Sequence, residues 1–142
     1  MNNIPTKLID FIQQNHIVSL ACSHQGEIWA ASCFYTFDPQ NNRLIVLTKQ
    51  STQHGKMMLA NPHIAGTIAA QPDNIQDIEG IQFTAIAQCL TDSKAEQARL
   101  LYIARHPIAK LFSSDVWEIR FTRIKHTENR LAFAQKTEWQ AK

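Results

Sequence analysis

The sequence predicts a single α+β domain over residues 1–142: a six-stranded, mainly antiparallel β-barrel, closed or split, with flanking helices. Three observations carry this. A chain of 142 residues suits one core that buries about two thirds of its unfolded surface. Hydrophobic residues are 44% of the chain against 18% charged, which allows collapse rather than disorder. Short β-branched and aromatic runs recur between turn residues, and helical spacing interrupts them after the third and fifth runs.

The elements follow in order. Ile4, Leu8, Phe11 and Ile12 share a face at helical spacing, with Pro5 suited to the entry and Asn15 to the exit. Ile17 to His24 and Glu27 to Asp38 are strands parted by Gln25 and Gly26, the signature of a tight hairpin. The turn cluster Asp38 to Asn42 precedes a third strand, Arg43 to Lys49. Ser51 or Thr52 can cap a short helix that runs through Leu59 and stops at Asn61, because the residue before Pro62 is pushed out of helical geometry. His63 to Ala70 is the fourth strand, and Ile81 to Leu90 the fifth, after a polar loop.

Ser93 and Glu96 have capping-box spacing, which predicts a helix from there to Arg105 or His106, before Pro107. Ile108 to Phe112 reads as one more helical turn. Val116 to Lys125 alternates Trp117, Ile119 and Phe121 with polar residues, the pattern of a half-buried strand. The tail, with Leu131, Phe133 and Trp139, is too apolar to be a solvated end. The first two strands are apolar on both faces, which asks for cover beyond their own barrel, and a partner subunit is the natural cover.

Several function classes fall away. A formal charge of +2 is far from the basic surface that neutralises many phosphates, so nucleic acid is not expected. No apolar run approaches the roughly 20 residues of a membrane span, and no leader pattern is visible. Cys22, Cys33 and Cys89 are few and scattered, as in a reducing compartment, so a cytoplasmic location is expected. No metal spacing is present: His16, His24, His63 and His126 read as surface or loop residues, and Asp73, Asp77 and Glu79 as solvated loop charges. There is no Ser, His, Asp set, no carboxylate pair at a helical offset and no G-x-G-x-x-G.

One place has anion chemistry. Thr48 and Thr52 supply hydroxyls, and the helix after Lys49 starts there, with amides and the positive end of its dipole. Lys49, Lys56 and a protonated His54 are candidate cations. The same residues also read as an ordinary strand-to-helix connection.

The run Leu47, Thr48, then Thr52, Gln53, His54, Gly55, then Ala60, Asn61, Pro62 resembles the flavin-phosphate segment of pyridoxamine 5′-phosphate oxidase and its split-barrel relatives. Nearly the whole order of elements is similar to that superfamily. Tyr102, Arg105, His106, Pro107, Trp117, Ile119, Asn129, Leu131, Phe133, Lys136 and Trp139 are similar to the small YhbP family. The resemblance implies an FMN-binding split β-barrel that works as a homodimer, possible as a flavin-dependent oxidoreductase on a small molecule. The alternatives are a non-catalytic module for flavin or haem and a cofactor-less interaction dimer.

On the family pattern the phosphate places fall on Thr48, Thr52, Gln53 and His54, so two hydroxyls are kept and both cations are replaced. The flavin ring lies along the second strand between an Arg and a Lys, whose places fall on Ala30 and Tyr35. Ala31, Ser32 and Cys33 then offer a backbone ledge and Gln82 a side-chain amide, while Lys136 and Trp139 would stack over the ring of the second subunit. Tight strand packing and dimer packing are the competing readings of the same residues.

Overall fold

A computed structural model describes residues 3–128 and 135–142. Helix α1 (Thr6–Gln14) starts after Pro5 and ends at Asn15, whose side-chain amide donates to the Phe11 carbonyl at 2.9 Å. Its apolar stripe, Leu8, Phe11 and Ile12, is buried in the main core. Strands β1 (Ile17–His24) and β2 (Glu27–Asp38) form the expected hairpin. Gln25 and Gly26 both take positive φ, 50° and 82°, the backbone that matches the twist of a two-residue turn and that glycine adopts without strain.

Strand β3 (Arg43–Leu47) pairs with β2 on one side and with β6 (Val116–Glu128) on the other. Helix α2 (Gln53–Ala60), β4 (His63–Ala69), β5 (Glu79–Cys89) and helix α3 (Asp92–Arg105) complete the path to β6. The order β3-β2-β1-β4-β5-β6, closed by the β3–β6 pairing, is an antiparallel ring, the split-barrel fold that was expected. Its interior is filled by Val18, Leu20, Leu44, Val46, Phe83, Trp117, Ile119 and Phe121.

Two features depart from expectation. A seventh strand, β7 (Gln135–Gln140), lies on β6. The first part of β6, Val116 to Arg120, is paired with β3, and the part from Arg123 to Glu128 would be a bare edge without β7. Between the two, Thr122 is skipped in the register with β5, a bulge that lets one long strand bend between partners. Asn129, Leu131 and Phe133 lie outside the described residues.

The Ser93–Glu96 capping box does not form. Asp92 enters α3 with φ 54°, so Ser93 is already inside the helix, and the N-cap position belongs to Thr91, which makes no side-chain cap. The Thr52 cap of α2 does form: its hydroxyl accepts from the Gly55 amide at 3.0 Å. The turn after α3 is a short 3-10 segment, Pro107–Leu111. No helix among the described residues is long and apolar enough to cross a membrane.

Candidate functional site

The end of β3 and the start of α2 form a tightly hydrogen-bonded corner. The Thr48 amide donates to the Asp115 carbonyl at 3.1 Å, and the Trp117 indole donates to the Thr48 carbonyl at 3.0 Å. The Asp115 carboxylate accepts from the Gln50 amide at 2.8 Å. The Thr52 hydroxyl donates to the Lys49 carbonyl at 2.8 Å while it caps α2. The His54 Nε2 lies 2.7 Å from the Thr48 hydroxyl and 3.3 Å from that of Thr52.

This arrangement changes which groups are on offer to a phosphate. The Thr52 proton is committed to Lys49 and the Gln50 amide to Asp115, so neither is a free donor. The amides of Gln53 and His54, at the first two helical positions, have no intrahelical acceptor. With the exposed Lys49 ammonium they are the donors that fit a dianion here, whereas Lys56 and the Gln53 side chain line a separate groove with His24, Gln25 and Glu27. If Nε2 of His54 carries the ring proton, it donates to Thr48 and leaves the Thr48 proton free to point at a ligand.

Burial pushes the His54 imidazole below its ordinary value of 6.5, which opposes the protonated state that an anion cradle would use. Because the unfolded chain binds the proton more readily, stability from neutral His54 is present above the ordinary value and lost as pH falls below it. The denaturation midpoint of the wild type should therefore drop on acidification below about pH 6.5 more than that of His54→Gln. Thermal melts of both proteins across that range measure it, and parallel curves would mean that His54 does not titrate into folding.

Leu47 and Lys49, on either side of Thr48, line a cleft of ≈ 680 Å³ with Phe34, Tyr102, His106, Ile108 and Phe112. Strand β2 supplies one wall, and α3 with the 3-10 turn after it supplies the other. His106 is fixed there through Nε2, 2.8 Å from the Tyr35 carbonyl, and its ring is flanked by Tyr102 at 4.8 Å and Phe34 at 5.8 Å between centroids. Arg105 turns the other way and donates to the Gln13 and Asn15 carbonyls at 3.1 and 2.7 Å, so its cation closes α1 rather than facing a ligand. The cleft therefore has apolar and aromatic walls with an ammonium at its rim. Sequence reasoning did not assemble it, although Tyr102 and His106 stood in the run that resembles the YhbP family and an apolar run follows Pro107, in which Ile108, Leu111 and Phe112 are all exposed.

The remaining candidates are spread over the barrel. Ala31 and Cys33 sit opposite Leu20 and Val18, on the face of the hairpin that carries the core. Burial, then the neighbouring Cys22, pushes the Cys33 thiol up to about 11, which makes it an inert thiol at neutral pH. Ser32 faces outward into a shallow groove of ≈ 390 Å³ with Ser19, Thr67 and His16. Gln82 is exposed on the same outer face, opposite Thr67. Lys136 is exposed on β7, whereas Trp139 is buried in this chain's own core, opposite Ile124. A buried Trp139 stacks on no partner's flavin in this conformation. Thr48, Thr52 and His54 are brought together and Lys49 joins corner to cleft, while Ser32, Gln82 and Lys136 stand apart from them.

His126 was expected at the surface. It is fully buried, with Nε2 2.9 Å from a carboxylate oxygen of Glu79, because β6 runs three residues beyond its expected end and β5 starts two residues early.

No protein-family model matches the chain. A UPF0306 protein from Haemophilus ducreyi is 49% identical over 142 residues, 99% of this chain and 97% of that protein. The UPF0306 protein YhbP from Salmonella schwarzengrund is 38% identical over 91% of this chain and 88% of its own length. Among solved structures, a haem-binding protein from Mycobacterium smegmatis superposes with TM-score 0.75 at 15% identity, covering 94% of this chain. The chain spans 58% of that longer protein. A FAD-binding protein from Mesorhizobium loti gives TM-score 0.73 at 12% identity, covering 84% of this chain and 89% of its own. At such identities the likeness is one of fold.

Proposed function

The chain belongs to the UPF0306 family that includes YhbP, and from that premise we propose that it is a flavin-binding homodimer, with FMN as the first ligand to test. The observation that carries the reading is the cleft: apolar and aromatic walls around ≈ 680 Å³, next to a strand end where Lys49 and two helix amides can meet a phosphate. Two proteins with the same fold, one haem-binding and one FAD-binding, support a planar ligand. A bound flavin would supply two-electron chemistry, and the cleft residues of this chain would orient it. Oxidoreductase activity with NAD(P)H as donor is the enzymatic form of this reading.

His106 favours a second reading, haem in the same cleft, with Nδ1 as the iron ligand because Nε2 is held on the Tyr35 carbonyl. The absorbance spectrum of fresh protein and the mass of any released ligand separate the two. Lys49→Ala should weaken FMN binding about 10- to 100-fold, the loss of one charge-assisted contact of about 1.5–3 kcal/mol. Fluorescence titration of FMN into both proteins measures this. Unchanged affinity removes the phosphate assignment, and a colourless protein that takes up neither FMN nor haem leaves an interaction dimer.

A further inference from the structure

Away from the cleft, the far ends of β5 and β6 carry a cluster that no part of the proposed function uses. His126 and Glu128 are two residues apart on β6 and so share a face, and Glu79 is the register partner of Glu128 across the β5–β6 ladder. One ligand atom from each of the three lies within 4.8 Å of the others. His126 and Glu128 are buried and Glu79 is half-buried. The His126 Nε2 lies 2.9 Å from Glu79, while its Nδ1 is buried without a hydrogen-bond partner, so the ring's polar contact is with the carboxylate side alone. Phe11 of α1 packs on the imidazole at 5.4 Å between centroids and closes the other side.

We propose that Glu79, His126 and Glu128 bind a divalent first-row transition cation, with zinc as the working probe. Two carboxylates beside one imidazole, with two of the three side chains buried, form an oxygen and nitrogen donor set of the kind that holds divalent cations. Among the described contacts, His126 pairs with Glu79, and Lys7, whose side chain is 44% exposed, pairs with Glu128 from α1. That ammonium can swing to solvent and yield its place. Metal to nitrogen or oxygen distances of about 2.0–2.2 Å put tetrahedral ligand atoms about 3.3–3.6 Å apart, so Glu79 and the His126 Nε2 must part slightly from 2.9 Å while Glu128 closes in, within reach of carboxylate rotation, with water completing the tetrahedron. Imidazole with carboxylates suits Zn(II), Mn(II) and Fe(II) and, lacking thiolate, not Cu(I).

Lys7 makes the proposal specific: it is a built-in competitor, so its removal should strengthen binding, the opposite of what most lysine deletions near a ligand site do. The test is equilibrium dialysis of the chelator-treated full chain against Zn²⁺, with bound metal counted, for the wild type, Lys7→Met, Glu79→Gln and His126→Gln. One ion per chain is expected, about 2- to 5-fold tighter in Lys7→Met, the size of one partly screened charge. Glu79→Gln and His126→Gln should weaken it about 100-fold or more, since even the outer partners of a metal site are worth about 10- to 100-fold. Glu79→Gln retains a polar partner for the buried ring and keeps the test open if His126→Gln fails to fold. No stoichiometric binding by the wild type or Lys7→Met overturns the proposal, as does zinc affinity that Glu79→Gln leaves unchanged.

Discussion

Gly55→Ala should destabilise the protein by about 2–4 kcal/mol and abolish uptake of any ligand that uses the β3–α2 corner. In an exposed helix the same change is favourable by about 0.5–1 kcal/mol, because alanine loses less backbone entropy on folding. Here the sign reverses for a steric reason. A methyl on Gly55 would stand 2.4 Å from the Lys49 carbonyl oxygen, 2.9 Å from that of Gln50 and 2.9 Å from the Thr52 hydroxyl. Two of these are backbone atoms and cannot rotate away, so the loop from Lys49 to Thr52 must lift off the helix. The lift breaks the Thr52 cap, worth about 1 kcal/mol, and carries the Lys49 ammonium away from the helix amides. Urea denaturation measures the first effect and FMN titration the second. Lys49→Ala should lower affinity with stability nearly unchanged, so the pair separates a lost cation from a lost shape. A stabilised Gly55→Ala would show that the corner is looser than this contact implies.

The parts of this fold that the sequence made legible are those decided by neighbours in the chain. The Gln25–Gly26 turn needs two positive φ values, and few other residue pairs tolerate them. Thr52 caps α2 because a hydroxyl three residues before a backbone amide closes a local ring. The failures involve distant partners. Ser93 and Glu96 satisfy a local pattern, yet the left-handed Asp92 places the helix start elsewhere. Strand β7 has one buried apolar anchor described, Trp139, and exists because the second half of β6 offers an unpaired edge. His126 is buried by a carboxylate 47 positions earlier in the chain, which no spacing rule connects to it. The corner residues were legible by their resemblance to a flavin-phosphate segment, whereas the Asp115 carboxylate that takes the Gln50 amide comes from a segment 65 positions away. The cleft is harder still, since β2, β3, α3 and the turn after it each contribute only a few side chains.

Ser32→Glu should convert the proposed homodimer to a monomer that keeps its far-ultraviolet circular dichroism. The outer face of β1, β2, β4 and β5 holds Ser19, Ala21, Ala30, Ser32, Ala65, Thr67, Gln82 and Thr84, paired across the ladder in register. Ile28 and Phe34 stand on the same face at 80% and 53% exposure. No charged side chain appears on it until Arg123 and Lys125 of β6, opposite Thr84 and Gln82. Four strands of small, uncharged residues flanked by the exposed Ile28 and Phe34 present no like-charge repulsion to a second copy of the same face, which is a complementary cover. In a two-fold contact a carboxylate at Ser32 is buried together with its symmetry mate. Desolvating two like charges without counter-ions costs several kcal/mol, more than 10³-fold in a dimer constant by order of magnitude. Within the monomer Ser32 is exposed, so the substitution leaves the barrel core untouched. Sedimentation of wild type and Ser32→Glu at micromolar concentration decides it: a wild type that is already monomeric removes this face as the interface. A dimer that survives Ser32→Glu moves the interface to the exposed Ile108, Leu111 and Phe112 side of the cleft. Ligand affinity measured on the monomeric variant then tells whether the cleft binds within one chain or needs the partner to complete it.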